Sequence, residues 1–340
     1  MRWIRRIGLG LVSIIVLAVL VGAGYEAVGR RRAASEFPVQ GALVDIGGRR
    51  LQLDCRGSGT PTVVFESGLD MSGSESWATV HDSIAGTTRA CAYSRAGIMW
   101  SDASRDAQTG KQVAEDLHSA LAKAGERPPF VMVGHSLGGP YIMIYTKYYG
   151  ADVAGLVFVD PSHPDQVSRF RSLTPVTLSE SINPYRLPSR FGRFGIVRKA
   201  TAADSAPPQP IHSVRASAAY ASTSLPAMIK EVDAFDQTLA EAGTFRQLGE
   251  RPIFILTATA PLSADVLTTL KMTAAEGRVY QQRWLAMHDD AATWSTRSQH
   301  QSVDAGHSIQ YERPSVVIAA VRAIVDSVRV DQLRAGTAAR

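Results

Sequence analysis

The sequence predicts an α/β fold: a mostly parallel sheet with helices on both faces, an inserted helical cap, and one N-terminal transmembrane helix ahead of it. Three observations predict it. Compact apolar runs alternate with helical stretches along residues 39–160 and again along 251–330, as when strands feed crossover helices. That alternation fails for about ninety residues after Asp160, too long for a structureless loop, so 161–250 reads as a mainly helical cap. Residues 7–25 are apolar and carry no charge.

As a helix, 7–25 reaches about 28 Å, close to the ~30 Å thickness of a bilayer's hydrocarbon core. It is longer than a signal-peptide core of about 7–15 residues. An uncleaved single-pass anchor is therefore the leading reading. Secretion after cleavage at the weak site Gly22-Ala23-Gly24 is the alternative. The formal charge of +5 and a pI near 9.3 invite a nucleic-acid reading. However, residues 1–32 hold six arginines and one acid, Glu26, and their removal leaves thirty basic and thirty acidic residues. The excess charge flanks the apolar run, as at a membrane headgroup boundary, and argues against a nucleic-acid partner. Three arginines lie on each side, so charge leaves the orientation open.

A polar linker, 30–38, completes the segment 1–38. Residues 43–46 and 50–54 alternate as two strands about the Gly47-Gly48 turn. PTVVFE at 61–66 reads as a strand buried on both faces, 77–84 as a helix and 89–93 as a strand. Val113, Leu117, Leu121 and Ala124 share one face of a helix over 111–124, which Gly125 stops. FVMVG at 130–134 is a strand, 137–149 a helix and 154–160 a strand. In the cap, 225–242 is helical, while 187–189 and 205–210 are rich in Pro and Ser. Residues 185–199 interleave Arg and Phe. The default reading is a solvated basic loop with aromatic anchors, and the alternative is a membrane surface. Strands follow at 252–257 and 299–303. A helix with Pro314 in its first turn ends near residue 328, before a polar, disordered tail at 331–340.

Gly134-His135-Ser136-Leu137-Gly138 matches G-x-S-x-G. Its place between a buried strand and a helix is the setting of a nucleophile elbow, which makes Ser136 the candidate nucleophile. Of eight histidines, His307 alone falls in a loop between the last strand and the last helix, on the same sheet edge as Ser136. His135 lies inside the elbow and reads as structural, His118 sits within a helix, and His81, His163, His212, His288 and His300 have no such placement. Two acids can orient the imidazole: Asp160 at a strand end, which is preferred, and Asp265 in a later loop. The backbone N–H groups of Leu137 and Leu69 are the candidate oxyanion donors. The two cysteines form no CxxC or Cys/His cluster, which argues against a zinc site.

Together these features resemble the α/β-hydrolase superfamily, in particular lipase- and esterase-like members with a helical cap. The resemblance covers about 41–328 and rests on GHSLGG at 134–139, ESGL at 66–69, YSRAG at 93–97, FVDPSHPDQ at 158–166 and AGHSIQYERP at 305–314. It departs in Ser67-Gly68 where many members have His-Gly, and in Tyr93-Ser94-Arg95 where many have Tyr-Asp-Arg. Aligning the strands puts Pro261 where members commonly place the acid, which favours Asp160 over Asp265. The resemblance implies hydrolysis of a small, lipophilic carboxylic ester through an acyl-enzyme, without a cofactor. Perhydrolase or haloperoxidase chemistry on the same triad, and a non-catalytic binding module, are the alternatives. It also makes the strands carrying Cys55 and Cys91 neighbours. A disulfide there would point to an extracytoplasmic catalytic domain.

Overall fold

The computed structural model describes residues 2–174, 177–201 and 209–338. The eight strands are β1 Ala42–Asp45, β2 Arg50–Arg56, β3 Thr62–Glu66, β4 Ala90–Ser94, β5 Phe130–His135, β6 Val153–Val159, β7 Ile253–Ala258 and β8 Ser298–Val303. They form one sheet in the order β1-β2-β4-β3-β5-β6-β7-β8. β1 and β2, and β2 and β4, pair antiparallel, while every pair from β4 to β8 is parallel.

The central strands β3 and β5 are buried at every position and mostly apolar, because both faces are covered. On β3 and β5, Val64, Phe130 and Met132 enter one core cluster, and Val63, Phe65, Val131 and Val133 enter the other. Helices α3 Gly110–Lys123 and α4 Gly138–Tyr148 cover the first face. The short α2 His81–Ala85 and the long α13 Pro314–Ala338 cover the second. Between β6 and β7 lie α5 Gln166–Phe170, α6 Leu178–Arg190, α7 Ile196–Ala200, α8 Ile211–Asp233 and α9 Phe235–Gly243, which make up the cap. After β7 come α10 Ala264–Leu270 and α11 Ala274–Ala292, and α12 Ile309–Glu312 follows β8.

Several expectations need correction. The polar linker 30–38 is helical as far as Glu36, because α1 runs unbroken from Arg2 to Glu36. Ala and Arg are strong helix formers, and no proline occurs before Pro38. The helix expected over 77–84 is a 3-10 turn, Gly73–Trp77, followed by α2. The cap helix over 225–242 is two helices that part at Ala234. Leu225, Ile229 and Val232 pack in one cluster while Phe235 and Leu239 pack in another, so the chain turns to change its buried face. The tail is helical to Ala338, since nothing near Asp331 stops α13. α10 and α11 were not foreseen. The Pro- and Ser-rich piece 205–210 lies outside the described residues apart from Gln209 and Pro210.

Cys55 on β2 stands directly opposite Cys91 on β4, and the two sulfurs are bonded. The bridge closes a loop with a sequence separation of 36. On chain entropy such a loop contributes about 4 kcal/mol. Replacing both cysteines by alanine is therefore expected to lower the unfolding free energy by a few kcal/mol in a urea titration. A midpoint within error of wild type would show that the bond contributes nothing in the folded protein as prepared.

Candidate active site

β5 ends in a turn too tight for side chains at its flanks. A Cβ on Gly134 would strike the backbone of Gly138 and Gly139, and one on Gly138 would strike the carbonyl oxygens of Glu66 and Ser67. Between them Ser136 adopts φ +52°, a left-handed conformation that is costly for a non-glycine residue. Three backbone bonds hold it there. Its N–H donates to the Val159 carbonyl (3.2 Å), and its own carbonyl accepts from Gly139 (2.9 Å) and Ser162 (2.8 Å).

Asp160, just past β6, is also left-handed, at φ +42°. It is buried, and both carboxylate oxygens are engaged. Oδ2 accepts from His307 Nδ1 at 2.6 Å, while Oδ1 accepts from Trp284 Nε1 on α11 and from the Ala258 N–H at the end of β7, each at 2.9 Å. Burial pushes the Asp160 carboxyl upward, but the His307 hydrogen bond, the nearby imidazoles of His307 and His288, and the Ala258 N–H together hold it below the ordinary carboxylate range. Asp265 is exposed in the first turn of α10, and its carboxylate makes no bond to His307 among the described residues.

His307 sits between β8 and α12 with its ring half exposed. Its loop is fixed at two points. His135 Nε2 donates to the His307 carbonyl at 3.1 Å, and the Gly306 N–H donates to Glu312 Oε2 at 2.9 Å. Burial drives His135 down to about 3, so it is a neutral strut. Ser136, His307, Leu69 and Leu137 all line one cavity of about 780 Å³, together with the apolar side chains of Leu178, Phe235, Leu270 and Trp284. The N–H groups of Leu69 and Leu137 have no hydrogen-bond acceptor among the described residues. That leaves two donors free beside Ser136.

The loop carrying Leu69 is clamped by Arg95, a residue of the YSRAG stretch to which the sequence alone assigned no role. Its guanidinium donates to the carbonyls of Ser67 (2.9 Å) and Gly68 (2.6 Å), to Glu66 Oε1 (2.7 Å), and to both carboxylate oxygens of Glu231 on α8 (2.8 Å each). The Tyr93 hydroxyl donates to the other oxygen of Glu66 at 2.5 Å. Trp284 also went unread, although Thr273 and Glu276, which close a capping box, mark the start of its helix in the sequence. The Cys55, Cys91 and Glu126 side chains lie close enough to share an ion, but the sulfurs are bonded to each other and Glu126 is paired with Arg89 at 2.5 Å.

The profile of the alpha/beta hydrolase family matches residues 18–321. An uncharacterized protein of Bacillus subtilis, YbdG, is 25% identical over 164 residues, which are 47% of this chain and 50% of YbdG. The chain thus spans half the length of that relative. A thermophilic esterase from Thermogutta terrifontis superposes with a TM-score of 0.55 at 19% identity, covering 84% of this chain and 97% of the esterase. A bromoperoxidase from Bacillus anthracis gives 0.59 at 17% identity, covering 84% and 99%. At those identities the two structures speak for the fold alone.

Below Asp160, His288 is fully buried. Its Nε2–H donates to the Pro161 carbonyl at 2.8 Å, and its Nδ1 shares a 2.7 Å bond with the Thr257 hydroxyl. Burial lowers it from 6.5 to about 4. Between those values the unfolded chain takes up a proton that the folded chain refuses, so stability falls as pH falls through that window. Taking wild type from pH 6.5 to 4.5 is expected to lose on the order of 2–3 kcal/mol through this group. His288→Gln, less stable at neutral pH, should show a correspondingly shallower fall in urea midpoints across the same range. Parallel profiles would show that His288 is not the titrating group.

Proposed function

This chain belongs to the α/β-hydrolase family, and from that premise we propose that it is a serine hydrolase that cleaves a small, lipophilic carboxylic ester through an acyl-enzyme. The observation that carries the reading is convergence. The left-handed Ser136, the His307–Asp160 pair at 2.6 Å and the two free N–H groups of Leu69 and Leu137 meet at one cavity. In this reading Ser136 Oγ attacks the ester carbonyl carbon while His307 Nε2 takes its proton. Asp160, bonded to Nδ1, fixes the useful tautomer and stabilises the imidazolium. The N–H groups of Leu69 and Leu137 hold the oxyanion. Collapse breaks the ester C–O bond, and His307 returns the proton to the departing alcohol. Water, activated in turn by His307, then releases the acid and restores Ser136. The apolar walls favour a lipophilic acyl or alcohol group.

α1 is long and apolar enough to cross a membrane. We read it as a retained anchor that leaves the catalytic domain outside the cytoplasm, where the Cys55–Cys91 bond persists.

Three outcomes test these readings. Ser136→Ala is expected to abolish labelling by a fluorophosphonate and to lower kcat on a short p-nitrophenyl ester by up to about 10⁶, with His307→Ala costing about as much. Asp160→Asn should lower kcat by up to about 10⁴, while Asp265→Asn stays near wild type. Activity of Ser136→Ala within tenfold of wild type would remove the nucleophile, and a crippling Asp265→Asn beside a silent Asp160→Asn would reverse the choice of acid. For topology, non-reduced peptides from protein isolated in its native compartment should contain Cys55 joined to Cys91. Two alkylatable thiols there would count against an extracytoplasmic domain.

A further inference from the structure

Along α1, Gly22, Glu26, Gly29 and Ala33 recur at helical spacing and share one face. That face packs on the cap. A Cβ on Gly22 would meet the Phe194 carbonyl oxygen at 2.7 Å, and one on Gly29 would strike the Arg198 side chain, so both glycines admit the cap to the helix surface. The Tyr25 ring lies against Gly195. Glu26 is buried and accepts from Arg198 Nε (2.9 Å), Arg30 Nε (2.9 Å) and Ser222 Oγ (2.5 Å). Further down, Ala33 is buried, and the Phe37 carbonyl accepts from Trp100 Nε1 and the Tyr220 hydroxyl, each at 3.0 Å. α1 is therefore bolted to the domain from Gly22 to Phe37.

This docking fixes a depth. Gly22 and Tyr25 are in the last turn of the uncharged run 7–25, so the cap backbone at Phe194 and Gly195 lies within about 5 Å of where the hydrocarbon-length segment ends. The adjoining cap surface is both apolar and basic. Tyr185, Leu187, Phe191 and Ile196 are exposed by 55%, 65%, 44% and 49%. Arg190 and Arg193 stand exposed among them, and 185–199 contains no acid. Large exposed apolar groups interleaved with cations suit the headgroup layer of an anionic bilayer.

We propose that the cap segment 185–199 is a membrane-binding surface, seated by α1 at the headgroup level of an anionic lipid bilayer. The proposal rests on the reading of α1 as a retained span. It favours the membrane alternative for this segment over the solvated loop. Tyr185, Leu187, Phe191 and Ile196 enter the acyl boundary, and the arginines meet lipid phosphates.

The test uses the full chain reconstituted in phosphatidylcholine vesicles containing phosphatidylglycerol, with both native cysteines left in their bond. Phe191→Cys carries an environment-sensitive fluorophore. Leu187→Cys serves as a second reporter should the first misfold. Ile14→Cys reports the interior of the apolar run 7–25, and Thr296→Cys, exposed two residues before β8 on the sheet edge opposite the cap, reports bulk water. Lipids with a spin label shallow in the chain are expected to quench the Phe191 and Leu187 sites, deep labels the Ile14 site, and neither the Thr296 site. Changing Arg190→Glu and Arg193→Glu together should cut shallow quenching on the order of twofold. Deep quenching at Ile14 with the cap sites as unquenched as Thr296 overturns the surface and leaves the anchor standing. An unquenched Ile14 removes the anchor, and the proposal falls with it.

Discussion

A single buried guanidinium, Arg95, joins parts of the molecule that lie far apart in the chain: the end of β3, the loop with the Leu69 N–H, and cap helix α8 through Glu231. Its side chain is 2% exposed, and its two carboxylate partners are as deeply buried. Desolvating three charged groups consumes most of what their attraction returns, so such a cluster adds little net stability. Removing one member, however, strands a charge at a cost of about 3–5 kcal/mol. The cluster is therefore better understood as a device for placement. The carbonyls of Ser67 and Gly68 face Arg95, which turns that stretch of backbone and leaves the next N–H, that of Leu69, unspent at the cavity. Burial pushes the Glu66 carboxyl upward, against the opposing pull of Arg95 and Tyr93.

The site also stores backbone strain. Ser136 and Asp160 both occupy the left-handed region at the ends of neighbouring parallel strands, β5 and β6. Each is held by hydrogen bonds to the strand beside it: Ser136 N–H to Val159, and Asp160 N–H to Leu256. The sheet thus over-determines two unfavourable conformations, which aims a hydroxyl and a carboxylate above the same strand edge.

What could be read from the sequence followed from local physics. The apolar runs of β3, β5, β6 and β7 lie in strands covered on both faces, and the G-x-S-x-G turn needs its glycines for steric reasons visible in five residues. The exposed Asp265 differs from the buried Asp160 in a way that strand-end position already hinted. Long-range pairing could not be read. Arg95 and Glu231 are separated by 136 positions, and Trp284 and Asp160 by 124, so nothing local marks either pair. The break at Ala234 carries no glycine or proline signal, because the change of buried face that causes it is a property of the assembled cap. The docking of α1 could not be read for the same reason: Glu26 and Ala33 are buried by a cap that the anchor's own composition does not reveal.

A domain on a loose leash shows every face to the membrane in turn. α1, locked through Glu26 and Phe37, allows no such tumbling. In the reading of α1 as a retained span, the surface of this protein has a lipid-facing side around cap residues 185–199 and a water-facing side away from it. The two halves then answer to different solvents. A substitution neutral on one side need not be neutral on the other, and soluble partners can reach only the second.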